Sequence, residues 1–306
     1  MDAEQLRTLL NKVTVKGTLA ELEVKEGSNK NGIPYISLKG AVRFGETGTE
    51  TKKFRTYVQA QKADGNENKQ YASIKAWADN AVSEADNKEL ATKVSISGSL
   101  EANDYITSSN ELVEAVEINA KFFNEYSVTE EEEFESNTVD IEGYIKSITD
   151  EVRNDVETGR KKITLITTDF FRNAVVVKNI IVPKELVDDF EDMYEVGSTA
   201  ILYLSYVLHK GEKKQAKGGI GKVRVTEGKD YLELILVGAP TPDEVESQLE
   251  KKIIKTLMEE RAQKLEDLKE AGYQSGSTEN TSSAPAKKTT TKKVTADDID
   301  DDDIPF

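Results

Sequence analysis

The pattern that most constrains the fold is a run of three strand-like segments, one helix-like segment and two further strand-like segments, which occurs twice along the chain. The first strand-like segment of each copy alternates with period two and is rich in β-branched residues. It contains a glycine at the matching position, Gly17 in the first copy and Gly143 in the second. Such alternation is typical of half-buried strands, and a glycine within one indicates a bend or a bulge. The repetition predicts two similar β domains in tandem.

The predicted strands of the first copy are residues 13–24, 35–44, 51–60, 93–100 and 112–123, and its helix has Tyr71, Ile74, Trp77, Ala81 and Ala85 on one face. Those of the second copy are residues 138–148, 161–168, 174–182, 199–208 and 231–237, with a helix over residues 183–194. This order is that of the oligonucleotide/oligosaccharide-binding (OB) fold, a five-stranded Greek-key barrel. Strand pairing is not visible in a sequence, so a swapped order stays open.

The predicted fold is mainly β, with two tandem OB-fold barrels, a C-terminal helix and a disordered acidic tail. Residues 1–125 form the first barrel, with a short leader helix suggested by Leu6, Leu9 and Leu10, and residues 126–137 form an acidic linker. Residues 138–240 form the second barrel, and residues 241–272 a helix that packs on it or makes a coiled-coil contact. Residues 273–306 begin with a Ser, Thr, Ala and Lys-rich stretch that would tether the last ten residues.

Charge and composition exclude several functional classes. The net charge is −16, yet the first barrel holds 16 basic against 19 acidic residues and the second 15 against 17, so the acid is concentrated elsewhere. The chain has no cysteine, no long apolar run and no signal-peptide pattern, which predicts a soluble cytoplasmic protein without membrane contact. His209 is the only histidine, and no nucleophile–base–acid set is legible. We therefore expect no enzyme activity, no cofactor and no metal.

Aromatic and basic residues are interleaved where an OB fold usually binds its ligand, on the second and third strands and the loops after strands one and four. Single-stranded nucleic acid is held by aromatic faces that stack on bases and by cations that pair with phosphates. The candidates in the first barrel are Tyr35, Lys39, Arg43, Lys52, Lys53, Phe54, Arg55, Tyr57 and Tyr105. Arg55 and Tyr57 can face outward together only if Phe54 faces inward. The alternative is that Phe44, Phe54 and Tyr57 are core residues, as we expect of Trp77.

The second barrel offers candidates around its first loop, at the turn between its second and third strands and in its fourth-to-fifth-strand loop. The candidates are Arg153, Arg160, Lys161, Lys162, Phe171, Arg172, Lys210, Lys213, Lys214, Lys217, Lys222 and Arg224. Adjacent Phe170 and Phe171 point in opposite directions in an extended chain, so one of them is expected to be exposed. The loop over residues 209–230 has seven basic against three acidic residues, which favours a flexible basic arm over a phosphate backbone. An ordinary solvated hairpin is the alternative.

The chain ends in six aspartates interleaved with Ile299 and followed by Ile304-Pro305-Phe306. Apolar anchors next to acidic steering charges are typical of a docking peptide, although a merely solubilising tail is the alternative. This ending resembles the C-terminal tip of bacterial single-stranded DNA-binding proteins (SSBs). The resemblance implies that the tip recruits replication, recombination and repair proteins. The residues that would do so are Asp300, Asp301, Asp302, Asp303, Ile304, Pro305 and Phe306.

Our leading hypothesis is a non-enzymatic protein that binds and protects single-stranded DNA without sequence preference, in a bacterium or in a bacterial host infected by a phage. Typical SSBs carry one barrel per chain, whereas this chain is predicted to carry two, so a monomer and a homodimer both stay open. The acidic tip could also compete with DNA for the basic groove. One alternative is a protein-binding adaptor with a docking tail. An acidic DNA mimic is disfavoured, because the acid lies outside the barrels.

Overall fold

The computed structural model describes residues 6–45, 48–125, 137–211, 213–215 and 225–272. The elements of the first half are β1 (Asn11–Ser28), β2 (Pro34–Arg43), β3 (Thr51–Gln59), α1 (Lys69–Ala78), β4 (Lys93–Ala102), β5 (Tyr105–Ile106), β6 (Leu112–Val113) and β7 (Val116–Glu125). Those of the second half are β8 (Thr138–Arg153), β9 (Val156–Thr168), β10 (Ala174–Val182), α2 (Val187–Met193), β11 (Thr199–His209), β12 (Lys213–Gln215), β13 (Val225–Glu227), β14 (Tyr231–Gly238) and α3 (Lys251–Ala271). Within these ranges, no helix has the length and apolar character needed to span a membrane.

Each half closes into a five-stranded barrel. In the first, the neighbours run β1–β2–β3–β7–β4, and β4 pairs back onto β1. In the second, they run β8–β9–β10–β14–β11, and β11 pairs back onto β8. The third and fifth strands of each barrel, β3 with β7 and β10 with β14, are parallel, whereas the other pairs are antiparallel. This is OB topology, so the predicted fold class and strand order are confirmed.

The matching glycines occupy equivalent positions in the two barrels. A Cβ atom on Gly17 would lie 2.2 Å from the carbonyl oxygen of Arg43, and one on Gly143 would lie 2.5 Å from that of Ile166. In both barrels, the first strand therefore approaches the second strand more closely than a side chain would permit.

The two barrels share main-chain pairing. β1 pairs with β8 in antiparallel register from Asn11 opposite Ile141 to Thr14 opposite Thr138. The side chain of Asn11 also donates to the carbonyl oxygens of Leu100 (2.9 Å) and Thr168 (3.1 Å), one in each barrel. The barrels are therefore joined by hydrogen bonds as well as by the connecting chain.

Each barrel core is closed by its helix. In the first barrel, Trp77 of α1 is buried and stacks on Phe123 at 4.4 Å between ring centroids, and Phe54 meets the same ring edge-on at 5.6 Å. In the second, Phe190 of α2 packs against Tyr194, whose hydroxyl donates to the carbonyl oxygen of Pro240 at 2.5 Å. These rings pack against cores that are otherwise mostly Val, Leu and Ile.

Two helical expectations differ from the structure. Residues 6–10 have no regular secondary structure, but Leu6 and Leu9 are buried, so their spacing reflects packing on the second barrel rather than a leader helix. The predicted helix over residues 241–272 is a 3₁₀ turn at Pro242–Glu244 followed, after a gap, by α3. The gap has a physical cause, because the Leu249 amide donates to the Thr199 hydroxyl (2.7 Å) and the Gln248 side chain accepts from the Thr199 amide (2.8 Å).

Candidate nucleic-acid interface

The outer face of β2 and β3 carries an aromatic and basic patch, which we call the β2–β3 patch and define as Tyr35, Lys39, Lys53, Arg55 and Tyr57. Cross-strand register places Lys39 opposite Arg55, and Tyr57 lies two residues beyond Arg55 on the same strand. Phe54, Thr56 and Val58 alternate with these residues and are buried, so the face that carries the patch points out of the barrel. This is the surface on which OB folds usually bind their ligand.

Tyr35 and Tyr57 form the aromatic part of the patch. Their ring centroids are 5.1 Å apart at an interplanar angle of 34°, and Tyr57 is 48% exposed. The Gln59 side-chain amide donates to the Tyr57 hydroxyl at 3.3 Å. A Cβ atom on Gly27 would lie 2.8 Å from the Tyr35 hydroxyl, so the glycine on β1 makes room for this ring. The pair is thus a positioned aromatic surface open to solvent.

The cations of the patch differ in how firmly they are held. Arg55 donates to the side-chain oxygen of Asn103 (2.7 Å) and to the carbonyl oxygen of Ala102 (3.0 Å). Lys39 and Lys53 make no hydrogen bond or ion pair with any residue that the structure describes. Like charges directly opposite on a sheet repel each other, and Lys39 and Arg55 are such a pair, although Glu23 lies opposite Lys39 on its other side. The Glu101 carboxylate lies 3.7 Å from Arg55 and offsets part of that repulsion.

Several other predicted residues of the first barrel lie away from the patch. Phe54 is 1% exposed, so it belongs to the core and presents no face for stacking. Arg43 is paired with Glu84 at 2.7 Å. Lys52 donates to the carbonyl oxygen of Val116 at 3.2 Å and lies over the ring of Tyr206. Tyr105 is 42% exposed, but on the separate small hairpin of β5 and β6.

The equivalent face of the second barrel is covered. Its β9 and β10 contribute Ile166, Ala174 and Val176 to a buried cluster that lies outside the main barrel cores. The cluster is completed from the N-terminal segment and from α3 by Leu6, Leu9, Leu249, Ile253, Ile254 and Leu257. The helix therefore packs on the second barrel, one of the two alternatives left open. The two barrels thus expose different surfaces despite their common topology.

Arg153 and Arg160 belong to an ion-pair network at the base of the basic arm. Arg160 donates to Glu151 (2.6 Å) and Glu233 (2.9 Å), and Arg153 contacts the same two carboxylates and the hydroxyl of Tyr231. Burial raises the pKa of Glu151, but hydrogen bonds from Arg160, Arg153 and Thr158 outweigh it and lower the pKa to about 2. Burial also raises the pKa of Glu233, but Arg160 and Arg153 outweigh burial, so the pKa of this carboxyl is lowered.

The remaining cations of the second barrel are dispersed. Lys161 pairs with Asp150 (3.1 Å) and Glu191 (2.8 Å), and Lys210 pairs with Asp230 (3.3 Å). Lys162 lines a cleft of about 680 Å³ between the barrels. Lys213 and Lys214 lie on β12, which pairs with β13 in a hairpin. Outside the described residues lie Lys217, Lys222, Arg224, Asp300, Asp301, Asp302, Asp303, Ile304, Pro305 and Phe306.

The structure adds two residues that were not among the sequence candidates, Lys121 and Phe122. It also exposes both Phe170 and Phe171, whereas the sequence predicted exposure of only one of them. Phe122 is 63% exposed and Phe170 is 68% exposed, and Lys121 lies over the Phe170 ring, 5.5 Å from its centroid. The register of β7 with β4 is irregular at this point, and it leaves Lys121 and Phe122 outside the barrel while Phe123 enters the core. Strict alternation cannot reveal a bulge of this kind.

Fold and surface together define a protein of two fused OB barrels, with one open aromatic and basic face and one covered face. The chain belongs to the YorF family, whose model matches residues 10–271. No curated protein sequence matches the chain.

The solved structures that resemble the chain include two of the single-stranded DNA-binding protein from Thermus aquaticus. A deletion mutant has a TM-score of 0.47 at 13% identity, over 78% of this chain and 96% of that one. The wild-type protein has a TM-score of 0.46 at 13% identity, over 80% of this chain and 99% of that one.

Proposed function

We propose that this protein binds single-stranded DNA without sequence preference, and that the first barrel holds the strand on the β2–β3 patch. Bases stack on Tyr35 and Tyr57, and phosphates pair with Lys39, Lys53 and Arg55. The seven basic residues of the loop over residues 209–230 supply further positive charge to the phosphates of the strand. The protein protects single strands in replication, recombination or repair and performs no reaction of its own.

The observation that carries this proposal is the exposed tyrosine pair on the open face of an OB barrel. Contiguous exposed apolar surface marks interaction sites, and here the exposed Tyr57 ring lies against the half-buried Tyr35 ring. Gly27 leaves room for Tyr35, and Gln59 donates to the Tyr57 hydroxyl. Stacking on aromatic rings tolerates any base, because every base has a π-face. The neighbouring lysines have no acidic partner among the described residues, which leaves them available to phosphates.

We further propose that the acidic tip recruits partner proteins. Its support is the sequence alone, because Ile304, Pro305 and Phe306 follow directly on four aspartates. Apolar anchors at a chain end, with acid beside them, suit a basic pocket on a replication or repair protein. The proposal places the protein in the cytoplasm of a bacterium or of an infected bacterial host.

The test of DNA binding is fluorescence anisotropy of a labelled oligothymidine against protein, from about 50 to 200 mM salt. Wild-type protein should bind with an affinity that falls as salt rises. A Tyr35→Ala/Tyr57→Ala variant should lose about 5-fold to 150-fold per stacked base. Tyr203→Ala is the matched control, since this tyrosine is 44% exposed on β11 of the second barrel.

Two results would contradict the proposal. Absence of salt-dependent binding by the wild-type protein would favour the protein-binding adaptor. Equal losses in the tyrosine double variant and in Tyr203→Ala would show that the β2–β3 patch has no special part in binding.

A further inference from the structure

The turn between β9 and β10 presents two phenylalanines to solvent on a rigid frame. Phe170 is 68% exposed and Phe171 is 61% exposed, and their rings meet edge-to-face at 5.4 Å. The Asp169 carboxylate accepts from the backbone amide and the side-chain amide of Asn173, both at 2.8 Å. The Asp169 carbonyl oxygen accepts from the Arg172 amide at 3.1 Å. The exposed rings therefore belong to an ordered turn.

This turn lies beside β7 of the first barrel, the strand that neighbours β3 of the β2–β3 patch. Lys121 of β7 reaches over the Phe170 ring at 5.5 Å. β7 runs parallel to β3, with Arg55 beside Asn119, and Lys121 and Tyr57 each lie two residues further along their strands. Burial raises the pKa of Glu101 on β4, and the Asp169 carboxylate of the turn raises it further, whereas Asn119, Arg55 and Lys121 oppose the rise. Aromatic and basic groups thus continue from the patch across β7 to the turn.

The sheet face of the second barrel cannot extend the binding surface of the β2–β3 patch, because α3 covers that face. Leu257 of this helix is 1% exposed in the cluster with Ile166 and Val176. Beyond that cluster, Arg261 pairs with Asp104 (2.9 Å) and Glu114 (3.2 Å) near the β5–β6 hairpin, which fixes the helix to both barrels. A strand that follows the protein surface from the β2–β3 patch towards the second barrel meets the turn instead.

We infer that a single strand held on the β2–β3 patch continues over Lys121 onto Phe170 and Phe171, so that the second barrel binds it through its β9–β10 turn and not through its sheet face. Lys121 meets a phosphate between the two aromatic sites, and one or two bases stack on the phenylalanines. The inference rests on the proposed function, since it extends the same binding site. It requires a strand long enough to span both sites.

The experiment compares two lengths of oligothymidine, about 5 and about 15 nucleotides, within the range of site sizes known for OB folds. A Phe170→Ala/Phe171→Ala variant should lose at least about fivefold in affinity for the longer strand, the equivalent of one lost stacking contact. Its affinity for the shorter strand should equal that of the wild-type protein. Leu90→Ala is the control for loss of an exposed apolar side chain, since Leu90 is 68% exposed in the first barrel.

A second measurement uses tryptophan fluorescence to report DNA binding at the β9–β10 turn. The chain has one tryptophan, Trp77, which is buried. In a Phe171→Trp variant, the emission of the new indole should be quenched by the longer oligonucleotide and left unchanged by the shorter one, with the wild-type spectrum as the reference for Trp77.

The outcomes separate this inference from the proposed function. If Tyr57→Ala weakens binding while the phenylalanine double variant binds the longer strand like the wild type, the inference fails and the proposed function stands. An equal loss at both lengths also overturns the inference, because the turn would then belong to the site that the shortest strand occupies. If the wild-type protein binds neither oligonucleotide, both fail together.

Discussion

Replacement of Lys39 and Lys53 with glutamine should make binding of single-stranded DNA less sensitive to salt. Both side chains stand on the outside of the first barrel, and neither has a hydrogen bond or ion pair with the described part of the chain. Their charge therefore contributes little to the fold, and the substitution should leave the melting temperature nearly unchanged. Arg55 is not suitable for this test, because it also holds Asn103 and Ala102.

The size of the effect follows from counterion release. For single strands, the slope of log K against log salt is about −0.7 per phosphate neutralised, so two lost contacts should reduce the slope by about 1.4. Between about 50 and 200 mM salt, this difference changes the ratio of wild-type to variant affinity by about sevenfold. The gap between the two proteins should therefore be widest at low salt.

The assay is an anisotropy titration of labelled oligothymidine at four or more salt concentrations. A Lys251→Gln/Lys255→Gln variant carries the same charge change at exposed positions of α3 and serves as the control. The reasoning would be refuted by an unchanged slope in the Lys39/Lys53 variant, or by the same reduction in the control. The first result would show that the patch does not meet phosphates, and the second that only net charge matters.

Three further perturbations test other parts of the structure. Gly27→Val should displace Tyr35, whose hydroxyl lies 2.8 Å from the added Cβ, and should weaken DNA binding as Tyr35→Ala does, in the same anisotropy assay. Glu151 has a folded-state pKa of about 2, so its stabilising effect is present above pH 4.5 and is lost as the pH falls towards 2. Between pH 6 and pH 3, the free energy of unfolding of Glu151→Gln, measured by denaturant titration, should fall by about 2 kcal/mol less than that of the wild-type protein. Equal falls in the two proteins would contradict the assignment. Leu257→Ala should reduce the free energy of unfolding by about 2–5 kcal/mol, because Leu257 of α3 is 1% exposed against the second barrel. A reduction as small as that of Lys255→Gln, an exposed site on the same helix, would show that the helix is loosely held.

Much of the fold was predictable from local patterns. Period-two alternation located the main strands, because it reports which residues face the core of a barrel. The matched Gly17 and Gly143 indicated the repeat, and both do lie at close strand contacts. The leader helix is not formed over the described residues 6–10, where the spacing of Leu6 and Leu9 reflects burial against α3 and the second barrel.

The site was only partly predictable. Alternation along β3 predicted that Phe54 faces the opposite side from Arg55 and Tyr57, and only the structure decided that Phe54 is the inward residue. Alternation could not show that Arg43 pairs with Glu84, or that Arg153 and Arg160 share Glu233, because these carboxylates are distant along the chain. A count of basic residues treats paired and unpaired cations alike.

By itself, the sequence determined the class of the molecule: two OB-order barrels, acid concentrated outside them, and an Asp-rich end closing in Ile304-Pro305-Phe306. These properties depend on composition and on local periodicity. Only the tertiary structure decided which barrel keeps an open face, since that depends on where α3 lies. It also decided that Phe170 and Lys121 meet, through an irregular strand register and a contact between barrels that no local pattern encodes.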